Sequence, residues 1–335
     1  MRRLFALALT ALPLLAHAWG ADGHRTVATI AAGLIQGSPT EARVAALLGG
    51  IPLPLAAVWA DCVKGIAPSQ GYTYPTPGKY TACAPLETPA RIAEMADYVR
   101  RNDRQCVLGA GEDSCHKQTH YTDAAVQRSR YLLGFTGTRS DDVVGASRAA
   151  ILMLQGRPSP GQPNFKNARE ALLVLVHLAG DIHQPLHVGS IYLDDRGRRV
   201  DPDKQGPDRA SFTVGGNSIE LSPAAPAGPK NLHAFWDDVP DELEPRQVDA
   251  AWLAEARRVG SLPGDPADWP ARWATQSLAQ AGMAFDGLAF SARLEGRWHV
   301  TLPGGYAAKS QAIKRQQLTL AGARLAQVLK ALFPR

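Results

Sequence analysis

Histidines and aspartates at helical spacing are the residues of this chain with the most chemistry in them. The densest group is His177-x3-Asp181-x-His183-x3-His187, inside VHLAGDIHQPLHVG. Residues four apart on a helix share a face, with Cβ atoms about 6 Å apart, so His177 and Asp181 can reach one ion together. Pro185 disfavours helical geometry in the residue before it, which ends the helix and lets His187 turn back toward the same point. Neutral imidazole with carboxylate suits Zn²⁺, and Mn²⁺ and Fe²⁺ are compatible with the same donor types. The competing explanation is a buried helix whose polar groups bond inside the core. A second i, i+4 pair, His233 and Asp237 in NLHAFWDD, repeats the arrangement on another short helix. Asp61 in WADCVK, His120 in THYTD and His24 in WGADGH are further candidates, and a free α-amino group at Trp19 would add one more donor.

That amino group exists only if the chain is cut before Trp19. Arg2-Arg3, an apolar run from Leu4 to Leu15 and then Ala16-His17-Ala18 read as a secretory signal peptide over residues 1–18. The run of about 12 apolar residues and the small-x-small site fit export, whereas a spanning helix needs about 20. The expected product is secreted or periplasmic, one domain over 19–335, with no stable membrane association. Losing Arg2 and Arg3 takes 36 basic residues to 34 against 31 acidic, a net +3. So small an excess does not by itself argue for nucleic acid. Cys62, Cys83, Cys106 and Cys115 allow three pairings in an exported chain. Cys62–Cys83 with Cys106–Cys115 closes the short local loops, and thiolate zinc binding fits no common spacing.

The elements that must position these residues are mostly helical. The 335 residues are 45% hydrophobic and 20% charged, which excludes a disordered tail or a fibrous repeat. Val27, Ile30, Ala31 and Leu34 follow the helical period, and Thr88-Pro89 reads as a cap with first-turn proline for a helix through Arg101. Ser140 with Asp141-Asp142 opens a helix to about Gln155, and Asn164 precedes the apolar helix that carries His177. Further helices are expected at 231–239, 246–259, 267–282 and 310–332. Strand-like text is confined to 188–194 and 211–221, with a hairpin turn at Gly215-Gly216-Asn217. Segments 66–85, 156–163 and 222–230 read as loops. The expectation is one mainly α domain with a small β-hairpin.

Taken in order, Trp19-Gly20, Gly23-His24, Trp59-Ala60-Asp61, His120-Tyr121, His177-x3-Asp181-x-His183-Gln184-Pro185-Leu186-His187 and Asn231-Leu232-His233-x3-Asp237 resemble the secreted type I nucleases. Those are trinuclear-zinc single-strand nucleases and 3′-nucleotidases that share their fold with bacterial zinc phospholipase C. The resemblance spans essentially the whole chain after residue 18. It implies that Asp61, His120, His177 and Asp181 bind one zinc, and that His187, His233 and Asp237 bind a second. Trp19, through its amino nitrogen and carbonyl oxygen, would bind the third with His24 and a bridging Asp181. Open positions on such ions mark catalytic rather than structural zinc.

The resemblance further implies that Asp61 orients a nucleophilic water and that Tyr121 and Asp123 form a nucleobase pocket, ring on base and carboxylate on its edge. Lys64 stands where that family commonly has arginine, and it can offer a point charge to phosphate but no bidentate fork. Tyr121 stands where phenylalanine is more familiar. His183 has no place among the ligands and is expected behind them or in packing. The implied substrates are single-stranded RNA and DNA and 3′-nucleotides, with a monomeric enzyme. A phospholipase C using the same metals on lipid phosphodiesters is the alternative.

Overall fold

The computed structural model describes residues 19–103, 115–159, 162–223 and 228–334, so the expected signal peptide lies outside the described residues. Helix α1 (Ala21–Ile35) buries Val27, Ile30 and Ala31, the face its periodicity requires. Local chemistry closes α2 (Pro39–Leu48) at both ends: the Ser38 hydroxyl accepts the Glu41 amide, Pro39 starts the first turn and Gly49 takes a left-handed φ of 60°. Short α3 (Leu53–Ala56) and α4 (Trp59–Val63) follow. Thr88 caps α5 (Pro89–Asn102), as its Thr-Pro signal requires, and α6 (Cys115–Gln118) is a single turn.

Asp142 caps α7 (Val143–Leu154) by accepting the amides of Val144 and Gly145, so the helix begins just past the expected Ser-Asp-Asp signal. The next helix, α8 (Ala168–Asp181), opens after Asn167 rather than Asn164, because the Asn167 side chain is the one that accepts the Glu170 amide. Every residue of α8 from Glu170 to Asp181 is buried, and a helix covered on all sides belongs in a core. The remaining helices are α9 (Pro202–Gln205), α10 (Leu232–Asp237), α11 (Ala250–Arg257), α12 (Trp269–Phe285) and α13 (Tyr306–Leu332). α13 lies against α1, and a Cβ on Gly322 would stand 2.5 Å from the Ile30 Cβ, so glycine is what permits their close approach. α7 packs on α8, and α8 in turn meets α1, α4 and α13.

The strands are two or three residues long. β1 (Ala124–Ala125) runs parallel to β2 (Gly189–Ser190), which sets the chain just after His120 beside the chain just after His187. The hairpin is not at Gly215–Asn217: it joins β3 (Tyr192–Leu193) to β4 (Arg199–Val200), while β5 (Ile219–Leu221) pairs in parallel with the distant β6 (Trp298–Val300). Gly215 and Gly216 have φ of 55° and 89°, and the amides of Gly216 and Ser218 both bond to the Thr213 carbonyl. That segment is a compact loop, not a link between strands.

Two apolar clusters result. The larger contains α1, α7, α8 and much of α13; the smaller gathers Leu186, Ile219, Trp236, Phe285 and Trp298. Each large apolar side chain so buried contributes about 1.5–3 kcal/mol. His187 sits between Leu186 of the smaller cluster and Val188 of the larger, where the two meet. Cys62 is bonded to Cys83, as expected. Cys106, the expected partner of Cys115, lies outside the described residues. Among the described residues no single helix is long and apolar enough to cross a membrane.

Candidate metal centre

Three groups of side chains each bring their donor atoms within 4.8 Å of one another: His24, His177 and Asp181; Asp61, His120 and His177; and His187, His233 and Asp237. Together they comprise every side chain expected as a ligand, and none is more than 9% exposed. Asp181, at the end of α8, is central. Its Oδ2 lies 2.9 Å from His120 Nδ1 and 3.1 Å from His177 Nε2, whereas its Oδ1 faces His24 at 3.4 Å and His187 at 3.7 Å. One carboxylate therefore addresses two separate sets of imidazoles.

Main-chain carbonyls fix how the imidazoles face. His177 Nδ1 donates to the Ala57 carbonyl at 2.6 Å, His187 Nδ1 to that of His120 at 2.8 Å, and His233 Nδ1 to that of Gly215 at 2.9 Å. With the proton on Nδ1, each ring turns an Nε2 lone pair inward, a tautomer set by its neighbours. His187 Nε2 and His233 Nε2 then stand 3.1 Å apart, lone pair against lone pair, an arrangement that calls for a cation between them. Both nitrogens of His24, Oδ1 of Asp181 and Oδ2 of Asp237 are buried without a hydrogen-bond partner among the described residues. Such orphaned atoms carry a desolvation cost that a metal ion would offset. The donor set thus fits divalent metal of the imidazole- and carboxylate-binding kind.

Burial lowers His177, but the Asp181 and Asp61 carboxylates outweigh it and raise the ring, so an ion at this site would displace a proton from Nε2; two other imidazoles are held neutral. Burial, helped by the Lys64 ammonium, pushes His120 down to about 3, so the ring is neutral and able to donate a lone pair at neutral pH. Burial also holds His187 well below its usual range. Burial alone would raise Asp181, but His177, His120 and His24 outweigh it and keep the carboxylate ionised. The Lys64 ammonium is buried 2.7 Å from Asp61 Oδ1, and the Asp61 and Asp181 carboxylates overcome its desolvation and hold it charged.

Trp19 is wholly buried; its indole donates to the Gly180 carbonyl at 3.0 Å, and the next amide, of Gly20, donates to the Asp237 carbonyl at 2.8 Å. Its main chain is thereby pinned between the ends of α8 and α10. A Cβ on Gly180 would meet His24 Nδ1 at 2.6 Å, so only glycine leaves room for that ring beside Asp181. His183 faces elsewhere, its Nδ1 on the Ala179 carbonyl and its Nε2 2.8 Å from Arg324. Gln184, quoted in the sequence motif but given no role there, donates to Asp237 Oδ1 at 2.6 Å.

Asp123 is buried beside the third donor group. Burial pushes it up to about 6, against His233, the Gly215 amide and the Ser190 hydroxyl. Tyr121, partly exposed, accepts the Val143 amide at its carbonyl and so abuts the start of α7. Sequence reasoning had no signal for the carbonyls of Ala57, His120 and Gly215, since any residue supplies one.

Residues 19–334 match the family described as S1/P1 Nuclease. The chain is also similar to "Nuclease S1" of Aspergillus oryzae, 25% identical over 357 residues that cover 97% of this chain and 96% of that protein. A match that takes in all three donor groups and every element that carries them makes this chain a member of the S1/P1 nuclease family.

Proposed function

We propose that this nuclease works with three zinc ions on single-stranded RNA and DNA, yielding 5′-nucleotides, and that it removes the phosphate of 3′-nucleotides. The observation that carries the reading is Asp181, whose two oxygens face two different imidazole sets while a third set lies alongside. Asp61, His120, His177 and Asp181 would hold one ion; His187, His233 and Asp237 a second; and Trp19, His24 and Asp181 the third. Zinc so held supplies a Lewis acid for phosphoryl oxygens and an acidified water. Asp61 orients the attacking water, and Lys64 places positive charge on the phosphate, a compact charge where an arginine would make a forked contact.

Tyr121 stacks on the base and Asp123 accepts hydrogen bonds from its edge. A paired and stacked base cannot enter such a pocket without the energy of unstacking, about a few kcal/mol, so duplex is the poorer substrate. In the same reading residues 1–18 are removed on export, 19–335 act as one secreted or periplasmic monomeric domain, and the freed amino group of Trp19 completes its site.

The test compares single-stranded DNA, duplex DNA, a nitrophenyl phosphodiester and phosphatidylcholine, with wild type and Tyr121→Ala. Loss of about 1–3 kcal/mol of binding should raise KM for oligonucleotides and leave the nitrophenyl ester unchanged. Faster cleavage of phosphatidylcholine than of single-stranded DNA, with Tyr121→Ala affecting both alike, would establish the phospholipase C alternative instead.

A further inference from the structure

The short helix α10 carries two expected ligands, His233 and Asp237, in only six residues. Isolated helices of that length do not hold themselves in water, so its position has to come from packing. At its N-terminus Asn231 accepts the Ala234 amide. Its C-terminal carbonyls have no helical partners of their own. There the Lys314 side chain of α13 donates to the carbonyl of Phe235 at 2.7 Å and to that of Asp238 at 2.5 Å. The same ammonium lies 4.9 Å from the Phe235 ring centroid and 5.9 Å from that of Trp236.

Lys314 is only 4% exposed, and among the described residues no carboxylate lies within ion-pair distance of it. A buried ammonium without a paired anion is costly. The Asp238 and Asp237 carboxylates, acting from beyond ion-pair distance, offset part of that cost, together with the negative end of the α10 dipole and the two ring faces. About two turns earlier on α13, the Tyr306 hydroxyl accepts the Trp236 indole N–H at 2.9 Å and donates to the Ala284 carbonyl at 2.7 Å. The two contacts thus bracket Asp237 through its chain neighbours without touching its carboxylate.

We propose that Lys314 and Tyr306 form a clamp through which α13 positions the His233 and Asp237 donors, making both of them positioning residues for one metal site. The inference rests on the zinc reading above and adds to it the far helix that sets the geometry of one ion. The carboxylate of Asp237 is held from the other side by Gln184, and its carbonyl by the Gly20 amide. Loss of the clamp therefore frees one end of α10 while leaving the donor types intact. Mutating groups that orient metal ligands typically lowers metal affinity about 10–100-fold.

The test measures zinc per full-length processed chain and zinc affinity by competition with a fluorescent chelator. Lys314→Met keeps the stem's volume and removes both hydrogen bonds. It should weaken one of three zincs by about tenfold, lower kcat on single-stranded DNA and leave KM within about twofold. Tyr306→Phe should weaken the same zinc to a smaller degree, and it serves alone if Lys314→Met does not fold. Val328→Ala, on the same helix but in the larger core, makes a cavity far from α10 and should keep all three zincs. Unchanged affinity in Lys314→Met and Tyr306→Phe, or equal zinc loss in Val328→Ala, would overturn the clamp. A wild-type chain without zinc would overturn the zinc reading itself, which keeps the two failures distinct.

Discussion

Asp181 and His183 are two residues apart, and their surroundings assign them opposite fates. Asp181→Asn removes the charge that faces both imidazole sets and should cost more than one metal ion per chain together with nearly all hydrolysis, as read by metal analysis and turnover. His183→Ala should keep its metals and instead lose about 1–3 kcal/mol in denaturant unfolding, because Arg324 is left with a buried, unpaired donor. Asp123 makes a pH prediction. Its folded pKa is raised from 3.8 to about 6, so the folded chain keeps the proton longer than the unfolded chain, and this group's contribution to stability falls as pH rises through that window. In the proposed pocket, base recognition by the carboxylate would move the other way: KM for 3′-nucleotides should climb as pH drops through about 6, and Asp123→Asn should flatten that limb. At this scale the side-chain donors were legible, since residue type and i, i+4 spacing are what sequence records. The inward lone pairs of His187 and His233 were not, because the carbonyls that orient them carry no residue signature.

Among the elements, helices with a chemical start signal were legible to within a few residues: Thr88-Pro89 opened α5 and Asp142 opened α7. Asn164 misled because a loop asparagine and a capping asparagine look alike until the amide three residues on is placed, and here Asn167 takes that role. The hairpin misread has a similar cause. Alternating apolar residues at 211–221 suggested a local partner, but Ile219 pairs with Trp298, a contact between residues far apart in sequence. α4 shows how an element can depend on a covalent tie: Asp61 is followed directly by Cys62, whose bond to Cys83 spans 21 residues. Replacing both cysteines with serine should lower stability by about 3 kcal/mol and loosen Asp61, so that nitrophenyl-ester turnover falls more steeply with temperature than in the wild type.

For the molecule as a whole, the zinc reading links metal binding to folding, since the donors come from α1, α4, α8, α10, the segment between α6 and β1 and the segment between α8 and β2. An ion present at about a thousand times its Kd adds about 4 kcal/mol of stability per site, so a strong chelator should lower Tm by several degrees and zinc should restore it. An unchanged Tm would mean that the donor groups do not hold metal in the folded chain.

The carbonyl bonds to His177, His187 and His233 have a further consequence for the kinetics of metal uptake. Because each ring is turned and tautomerised by main chain that belongs to the fold, the stripped protein is a rigid chelator rather than a chain waiting for metal to fold it. Its three Nδ1 protons are shielded from solvent, and in a nuclear magnetic resonance spectrum they should persist as slowly exchanging signals before and after zinc is added. Refilling should then follow simple second-order kinetics, without the lag that a refolding step would impose.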